Sequence, residues 1–278
     1  MVRIIADTST LYATAQAREA GFAVSPLTVT INEQTYREFD EISSEEFVSI
    51  IHQGHMPTSS QPAVGEVVAL YEECEGEEIL NIAMADGLSG TYRSAVAAAE
   101  LCENREQITV LNSQTLCGPH RYMVEQAVRW AREGLSRLEI VERVKELMRT
   151  EKSYLMPDDF GYLRRGGRLS PLVSLVGQAA HLAPIMTTTE DARHLTVAGV
   201  RRSFQQAIRQ VGKNLAERGV GKDWRVYITH ASAPEKAAQA KEILLSVIPD
   251  ATYETYPLSP AFITQGGPRC VAVQVVHN

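Results

Sequence analysis

Two short segments concentrate hydroxyl groups where a helix begins. They are Thr58-Ser59-Ser60-Gln61-Pro62 and Ser89-Gly90-Thr91-Tyr92. The second follows Ile79-Leu80-Asn81-Ile82-Ala83-Met84-Ala85, an apolar run that reads as a buried strand. A strand–loop–helix junction of this composition gathers hydroxyls and unsatisfied backbone N–H groups at the positive end of a helix, and so attracts an anion. The competing reading is local: Ser60 and Ser89 each cap their own helix. A third hydroxyl-rich stretch, Asp7-Thr8-Ser9-Thr10, follows the strand Val2–Ile5, and three such loops favour a shared anion site. The first lysine of the chain is Lys145, and neither G-x-x-x-x-G-K-[ST] nor G-x-G-x-x-G occurs. Neutral donors suit a single negative charge, so a carboxylate fits these loops better than a triphosphate, which needs cations to offset it.

Two further features could do chemistry. Tyr162-Leu163-Arg164-Arg165-Gly166-Gly167-Arg168-Leu169-Ser170 joins three arginines to two glycines. It is equally a surface helix end or a contact for a phosphate or an acidic partner. Arg201-Arg202 is similar. The stretch Ser170–Leu182 carries no charged side chain apart from His181, and Leu172, Val173, Leu175 and Val176 leave it little polar surface. Such a helix is buried in a core, against another subunit or around an apolar ligand, core burial being the commonest case.

The 278 residues alternate short apolar runs with helical patterns, and capping boxes stand at Ser43…Glu46 and Ser136…Glu139. The reading is an α/β protein of two domains. Residues 1–152 form a parallel sheet with helices on both faces, and residues 153–278 form a second α/β domain with a mixed sheet and the apolar helix 170–182. In more detail it makes Leu11–Ala20 a helix and Val24–Ile31 one extended segment. It starts a helix at Pro62 that runs to about Cys74. A net charge of −7 argues against nucleic-acid binding. No apolar run nears the ~20 residues of a membrane span, and Met1 leads straight into a strand, so a cytoplasmic protein is expected. The four cysteines have neither zinc nor redox spacing, and His52 and His55 lack a third ligand, so no metal and no cofactor is expected.

Thr58-Ser59-Ser60-Gln61-Pro62, Ser89-Gly90-Thr91-Tyr92-Arg93-Ser94-Ala95 and Tyr162-Leu163-Arg164-Arg165-Gly166-Gly167-Arg168-Leu169-Ser170, in this order and at roughly this spacing with the Asp7 loop at the start, resemble the DegV family of bacterial fatty-acid-binding proteins, over essentially the whole chain. The resemblance implies two α/β domains and a non-enzymatic lipid carrier. A long-chain fatty acid would place its carboxylate at the hydroxyl loops and its acyl chain in an apolar tunnel, and the carrier would present it to an ATP-dependent kinase subunit. It assigns the ligand to Ser59, Ser60, Ser89, Gly90, Thr91, Gln265, Gly267 and Arg269, with Leu172, Leu175 and Val176 along the acyl chain. It puts Arg168 and Arg201 at the mouth or the partner face. The sequence departs from the family pattern at Gln265-Gly266-Gly267-Pro268-Arg269, where His-x-Gly-Pro-Gly is usual, at Leu11 in place of an aspartate, and at Gly199 in place of a lysine. Two other functions are compatible with the same loops. One is a serine hydrolase using Ser89 with His230 as base, although Gly87-Leu88-Ser89-Gly90 is not a G-x-S-x-G elbow. The other is a phosphotransferase-like binder of a small polyol phosphate.

Overall fold

The computed structural model describes residues 2–74, 76–174 and 182–278. The chain divides into two compact units. The first comprises residues 1–149 together with Ser259–Ala261, and the second comprises residues 150–258 and 262–278.

The first unit runs β1 (Val2–Asp7), α1 (Thr14–Ala20), β2 (Ala23–Ser25), β3 (Thr28–Ile31), β4 (Gln34–Arg37), α2 (Ser44–His52), β5 (Thr58–Ser60), α3 (Val64–Glu72), β6 (Glu78–Ala83), α4 (Thr91–Leu101), β7 (Ile108–Asn112), α5 (Cys117–Arg132) and α6 (Arg137–Thr150). Strands β2-β1-β6-β7 form a parallel sheet in that order. Its central strands are covered on both faces, which is why β6 is mostly apolar, with buried Asn81 donating to the Tyr71 hydroxyl at 2.8 Å. Ile5 and Ile79 pack with Val67, Tyr71, Ala95 and Ala98 of α3 and α4. Ile4 and Leu80 alternate with them toward the opposite face, and α5 lies against β1.

Both expected capping boxes are present. Ser43 Oγ accepts from Glu46 N at 3.2 Å while the Glu46 carboxylate accepts from Ser43 N at 3.0 Å. Ser136 and Glu139 exchange the same pair of bonds.

Three expectations are corrected here. Val24–Ile31 is not one extended segment: Pro26 divides it, so β2 joins the parallel sheet while β3 joins a separate antiparallel sheet of order β4-β3-β5. Leu11–Ala20 does not form one helix, because Thr8–Thr10 make a 3-10 turn ending at Leu11 in the left-handed region (φ 62°), and α1 starts only at Thr14. Ser60 does not cap a helix. It closes strand β5, and α3 starts behind Ala63 without a side-chain cap.

The second unit runs β8 (Lys152–Met156), α7 (Phe160–Gly166), α8 (Pro171–Ser174), β9 (Ala183–Thr188), β10 (Leu195–Arg201), α9 (Phe204–Glu217), β11 (Trp224–His230), α10 (Pro234–Leu245), β12 (Thr252–Pro257), α11 (Pro260–Gly266, its first two residues grouping with the first unit) and β13 (Val271–His277). Its sheet is mixed, in the order β10-β9-β8-β13-β11-β12. Tyr154, Met156, Ile185, Val226, Ile228 and Val273 pack with Ala207, Ile208, Val211 and Leu215 of α9 and Ala237, Ala240 and Leu244 of α10. The alternate residues Leu155 and Met186 belong to a second apolar cluster with Leu163, Leu169 and Val173. Strands β8 and β9 thus serve two cores through their period-two alternation. Among the described residues no helix is long and apolar enough to cross a membrane.

Candidate functional site: the hydroxyl loops

In the parallel sheet the chain moves from β1 outward to β2, then returns to the other side of β1 as β6. The direction of winding reverses there. The crevice beyond the carboxyl ends of β1 and β6 is where open α/β sheets bind ligands, because the two connecting loops diverge. Asp7-Thr8-Ser9-Thr10 and the Met84–Gly90 loop both issue into this region.

The Asp7 loop is its floor. Asp7, Thr8, Ser9 and Thr10 are fully buried, and every side chain is committed internally. The Asp7 carboxylate accepts from Ser9 N and Met84 N, each at 2.9 Å, so it ties the two loops together. Thr8 donates to Glu38 at 2.5 Å, Thr10 to the Asp7 carbonyl at 3.0 Å, and Ser9 Oγ lies 2.6 Å from His120 Nδ1. The expectation that this loop lends hydroxyls to a shared anion site is corrected on that ground. Ser9, His120 and Asp7 also have the residue types of a hydrolase triad, but not its geometry. His120 is wholly buried, its Nε2 is 2.9 Å from the Ile82 carbonyl, and both Asp7 oxygens are taken by backbone amides. Burial pushes the His120 pKa down, so the ring is held neutral.

The other two loops meet above that floor. Ser94, in the first turns of α4, donates to the Pro62 carbonyl at 2.8 Å. Gly90, the residue before α4, lies under the Gln61 amide: a Cβ there would stand 2.9 Å from Gln61 Cδ. Thr58-Ser59-Ser60-Gln61-Pro62 and Ser89-Gly90-Thr91 are therefore neighbours within the first unit, although about thirty residues separate them in sequence. Ser89 Oγ lies 2.8 Å from Thr91 Oγ1 and accepts weakly from Thr91 N at 3.3 Å. Ser59 and Ser89 are half-buried, Ser60 is exposed and Thr91 is buried. Gly90 supplies no side-chain cap, and the first turn of α4 holds no acidic residue. Arg93, in that turn, pairs with Asp86 at 2.8 Å. What results is a helix start whose donors and dipole face a small group of neutral hydroxyls, a setting for one carboxylate. Among the described residues no group of three metal-ligating side chains occurs.

The remaining candidates lie in the second unit. Gln265, near the end of α11, is half-buried and rests against Gly166, where a Cβ would collide with its amide oxygen. Gly267 (φ +80°) is pressed against the Tyr162 ring, 2.7 Å from the place of a Cβ, so no side chain fits there. The ring in turn carries the Arg165 guanidinium on its face, 4.6 Å from the centroid. The Arg-Gly-Gly-Arg turn is thus held face to face with the loop after α11. Arg168 donates to the Gly166 carbonyl, and its own carbonyl accepts from Leu195 N at 2.8 Å. Arg269 is exposed and held by carboxylates, 2.9 Å from Glu235 and 3.3 Å from Asp158. Arg201 donates to Gln210 at 2.5 Å, and with Leu182, Val200, Arg202 and Gln206 it lines an open groove of about 560 Å³. Leu172 lies in α8. Leu175 and Val176, like most of the expected helix 170–182, fall outside the described residues.

Sequence reasoning missed Glu38 and His120. Their partners Thr8 and Ser9 are 30 and 111 residues away, and no local spacing signals them.

Comparison with known proteins agrees with this architecture. The family model described as "Uncharacterised protein, DegV family" matches residues 1–278. Protein DegV of Bacillus subtilis is 31% identical over 254 residues, 89% of each chain. A DegV domain-containing protein of Staphylococcus aureus is 28% identical, covering 92% of this chain and 91% of its own. Among solved structures, that of DegV from Bacillus subtilis, described as a fatty acid binding protein, superposes with a TM-score of 0.87 at 26% identity, over 100% of this chain and 99% of the other. A DegV family protein of Thermus thermophilus gives 0.89 at 24% identity, with 100% and 99% covered, and supports the fold. With a family model matching the whole chain and full-length similarity in sequence and fold, this chain is a member of the DegV family.

Proposed function

We propose that this protein binds a long-chain fatty acid as a carrier rather than as an enzyme, holding the carboxylate with Ser59, Ser60, Ser89, Gly90 and Thr91. The observation that carries the reading is the meeting of the two hydroxyl loops at the uncapped, acid-free start of α4. The relative described as a fatty acid binding protein, similar over the whole chain, supports it. Burying about fourteen methylenes at ~0.8 kcal/mol each gives a gross gain near ~11 kcal/mol. Each hydrogen bond to the carboxylate adds ~1.5–3 kcal/mol before desolvation offsets much of it. The tail therefore supplies most of the affinity, and the loops select and orient the head. For the acyl chain the proposal keeps Leu172, Leu175 and Val176.

Gln265 and Gly267 stay in the proposal as supports of the arginine turn. Arg269 does not, since its guanidinium is taken by Asp158 and Glu235. Arg168, Arg201 and Arg202, with exposed Leu182 and Val200 beside the last two, are assigned to the face that meets an ATP-dependent kinase subunit. The site is expected to function in the cytoplasm. A hydrolase has less support, because among the described residues the side-chain partner of the Ser89 hydroxyl is Thr91 and not a histidine or other base.

Mass spectrometry of an organic extract of natively purified protein tests the reading. A stoichiometric long-chain acid is the expected result. An extract without one, together with no uptake of added fatty acid in a titration, overturns it.

A further inference from the structure

Among the described residues, the most deeply buried carboxyl group outside the hydroxyl loops is Glu38, which is wholly inaccessible. It follows β4 and is fixed by its backbone, since Glu38 N donates to the Leu27 carbonyl at 3.1 Å. Its side chain collects donors from two distant stretches of chain. Thr8 Oγ1 donates to Oε1 at 2.5 Å while accepting from Leu27 N at 2.9 Å. Ala261 N, 223 residues away, donates to Oε2 at 2.9 Å, with the Ser259 hydroxyl beside it. Ser259–Ala261 is the short piece that groups with the first unit while the residues before and after it do not. The Glu38 carboxyl is thus a side-chain fastening for that piece.

We infer that Glu38 is a proton-operated latch on Ser259–Ala261, holding the segment firmly when neutral and loosening it when ionised. The charged groups that face it are few. Asp7, at the end of β1, repels its ionised form, and the captured segment brings only a hydroxyl, a proline and an amide. Burial is the main cause that lifts its pKa, which reaches about 7 although the Thr8 and Ala261 donors and the nearby Ser259 hydroxyl pull it down.

The sign follows from linkage. A released segment exposes Glu38 to water, where it titrates near the ordinary 4.5. The latched state therefore binds its proton more tightly, so release is rarest below that value and grows as pH rises toward 7. Above about 7 the carboxyl is ionised in both states and the effect levels off. Between pH 6 and 8 the opening equilibrium increases about tenfold.

Hydrogen exchange of the Ala261 amide in the full-length protein measures that opening, once corrected for the intrinsic pH dependence of exchange and referred to the Ile228 amide inside the second sheet. The expected result is an increase of about tenfold from pH 6 to 8 for Ala261 and none for the reference. Glu38→Gln, which cannot ionise, should flatten the Ala261 profile. Should that variant fail to fold, a carbon-13 titration of the Glu38 carboxyl in the wild-type chain stands in, with a midpoint near 7 expected. A midpoint below about 5, a flat wild-type profile, or a Glu38→Gln profile that rises like wild type would each overturn the latch.

Discussion

Replacing Ser94 by alanine tests whether one hydrogen bond joins the two hydroxyl loops. Ser94 Oγ is 5% exposed and donates to the carbonyl of buried Pro62 at 2.8 Å. A neutral hydrogen bond contributes about 1 kcal/mol net, but losing this donor also leaves a buried carbonyl unmatched, which raises the cost to ~1–3 kcal/mol. A unit of this size loses roughly 2–4 °C of Tm per kcal/mol, so calorimetry should find its transition lower by about 2–12 °C. Binding responds less. The bond exists with or without ligand, and only the part spent on re-ordering the loops is charged to affinity. That part is no larger than the net bond of about 1 kcal/mol, so fatty-acid affinity falls by no more than about tenfold. Ser60→Ala serves as control, since Ser60 is exposed and its loss should change stability by less than ~0.5 kcal/mol. A Ser94→Ala transition within 1 °C of wild type refutes the coupling. A hundredfold loss of affinity in a folded variant refutes it differently, by showing that the hydroxyl itself touches the ligand.

Two further substitutions separate the head-group set from its surroundings. Ser89→Ala should weaken fatty-acid binding about threefold to tenfold in calorimetric titration while costing about 0.5–1 kcal/mol of stability, because Ser89 Oγ accepts from Thr91 N only weakly, at 3.3 Å. An unchanged affinity removes Ser89 from the head-group site. Arg269→Gly exchanges two exposed ion pairs, each worth ~0–1 kcal/mol, for relief of a left-handed backbone at φ 63°, worth about 1 kcal/mol. Thermal stability should stay within about 3 °C of wild type and affinity within about twofold. A tenfold loss of binding would return Arg269 to the ligand.

What could be read in the sequence was what is local. The capping boxes at Ser43 and Ser136 act over three residues, so their spacing is their geometry. The apolar run Ile79–Ala85 announced a buried strand, and the order of runs announced a parallel sheet. Strand β4 was invisible. Gln34-Thr35-Tyr36-Arg37 is polar and largely exposed, and the turn before it uses Asn32 and Glu33 in the left-handed region (φ 49° and 63°) with no glycine to mark it. Ser60 shows a different limit. A serine ahead of Gln-Pro and an apolar stretch has the composition of a helix cap, but pairing with Thr28 made it the end of a strand. That choice belongs to the sheet, which no local window contains.

The hydroxyl loops show why residue type alone could not sort floor from site. Asp7-Thr8-Ser9-Thr10 and Ser89-Gly90-Thr91 look alike in sequence, and both follow a buried parallel strand. They differ in what arrives from elsewhere. Glu38 and His120 take up Thr8 and Ser9, and Met84 N and Ser9 N take up Asp7, so the first loop is closed to ligand and becomes rigid support. No such partner reaches the second. Among the described residues the Ser89 and Thr91 side chains engage only one another, Ser89 half-buried and Thr91 buried, at a helix start where Gly90 supplies no side-chain cap and the first turn holds no acid. A buried hydroxyl with a fixed partner cannot reorient toward an anion without breaking that bond. A hydroxyl paired with another hydroxyl can, because either oxygen is able to donate. Under the proposed function, a single carboxylate at this site would meet two hydroxyls that, among the described residues, are paired only with each other, and the closed loop beneath keeps them in place.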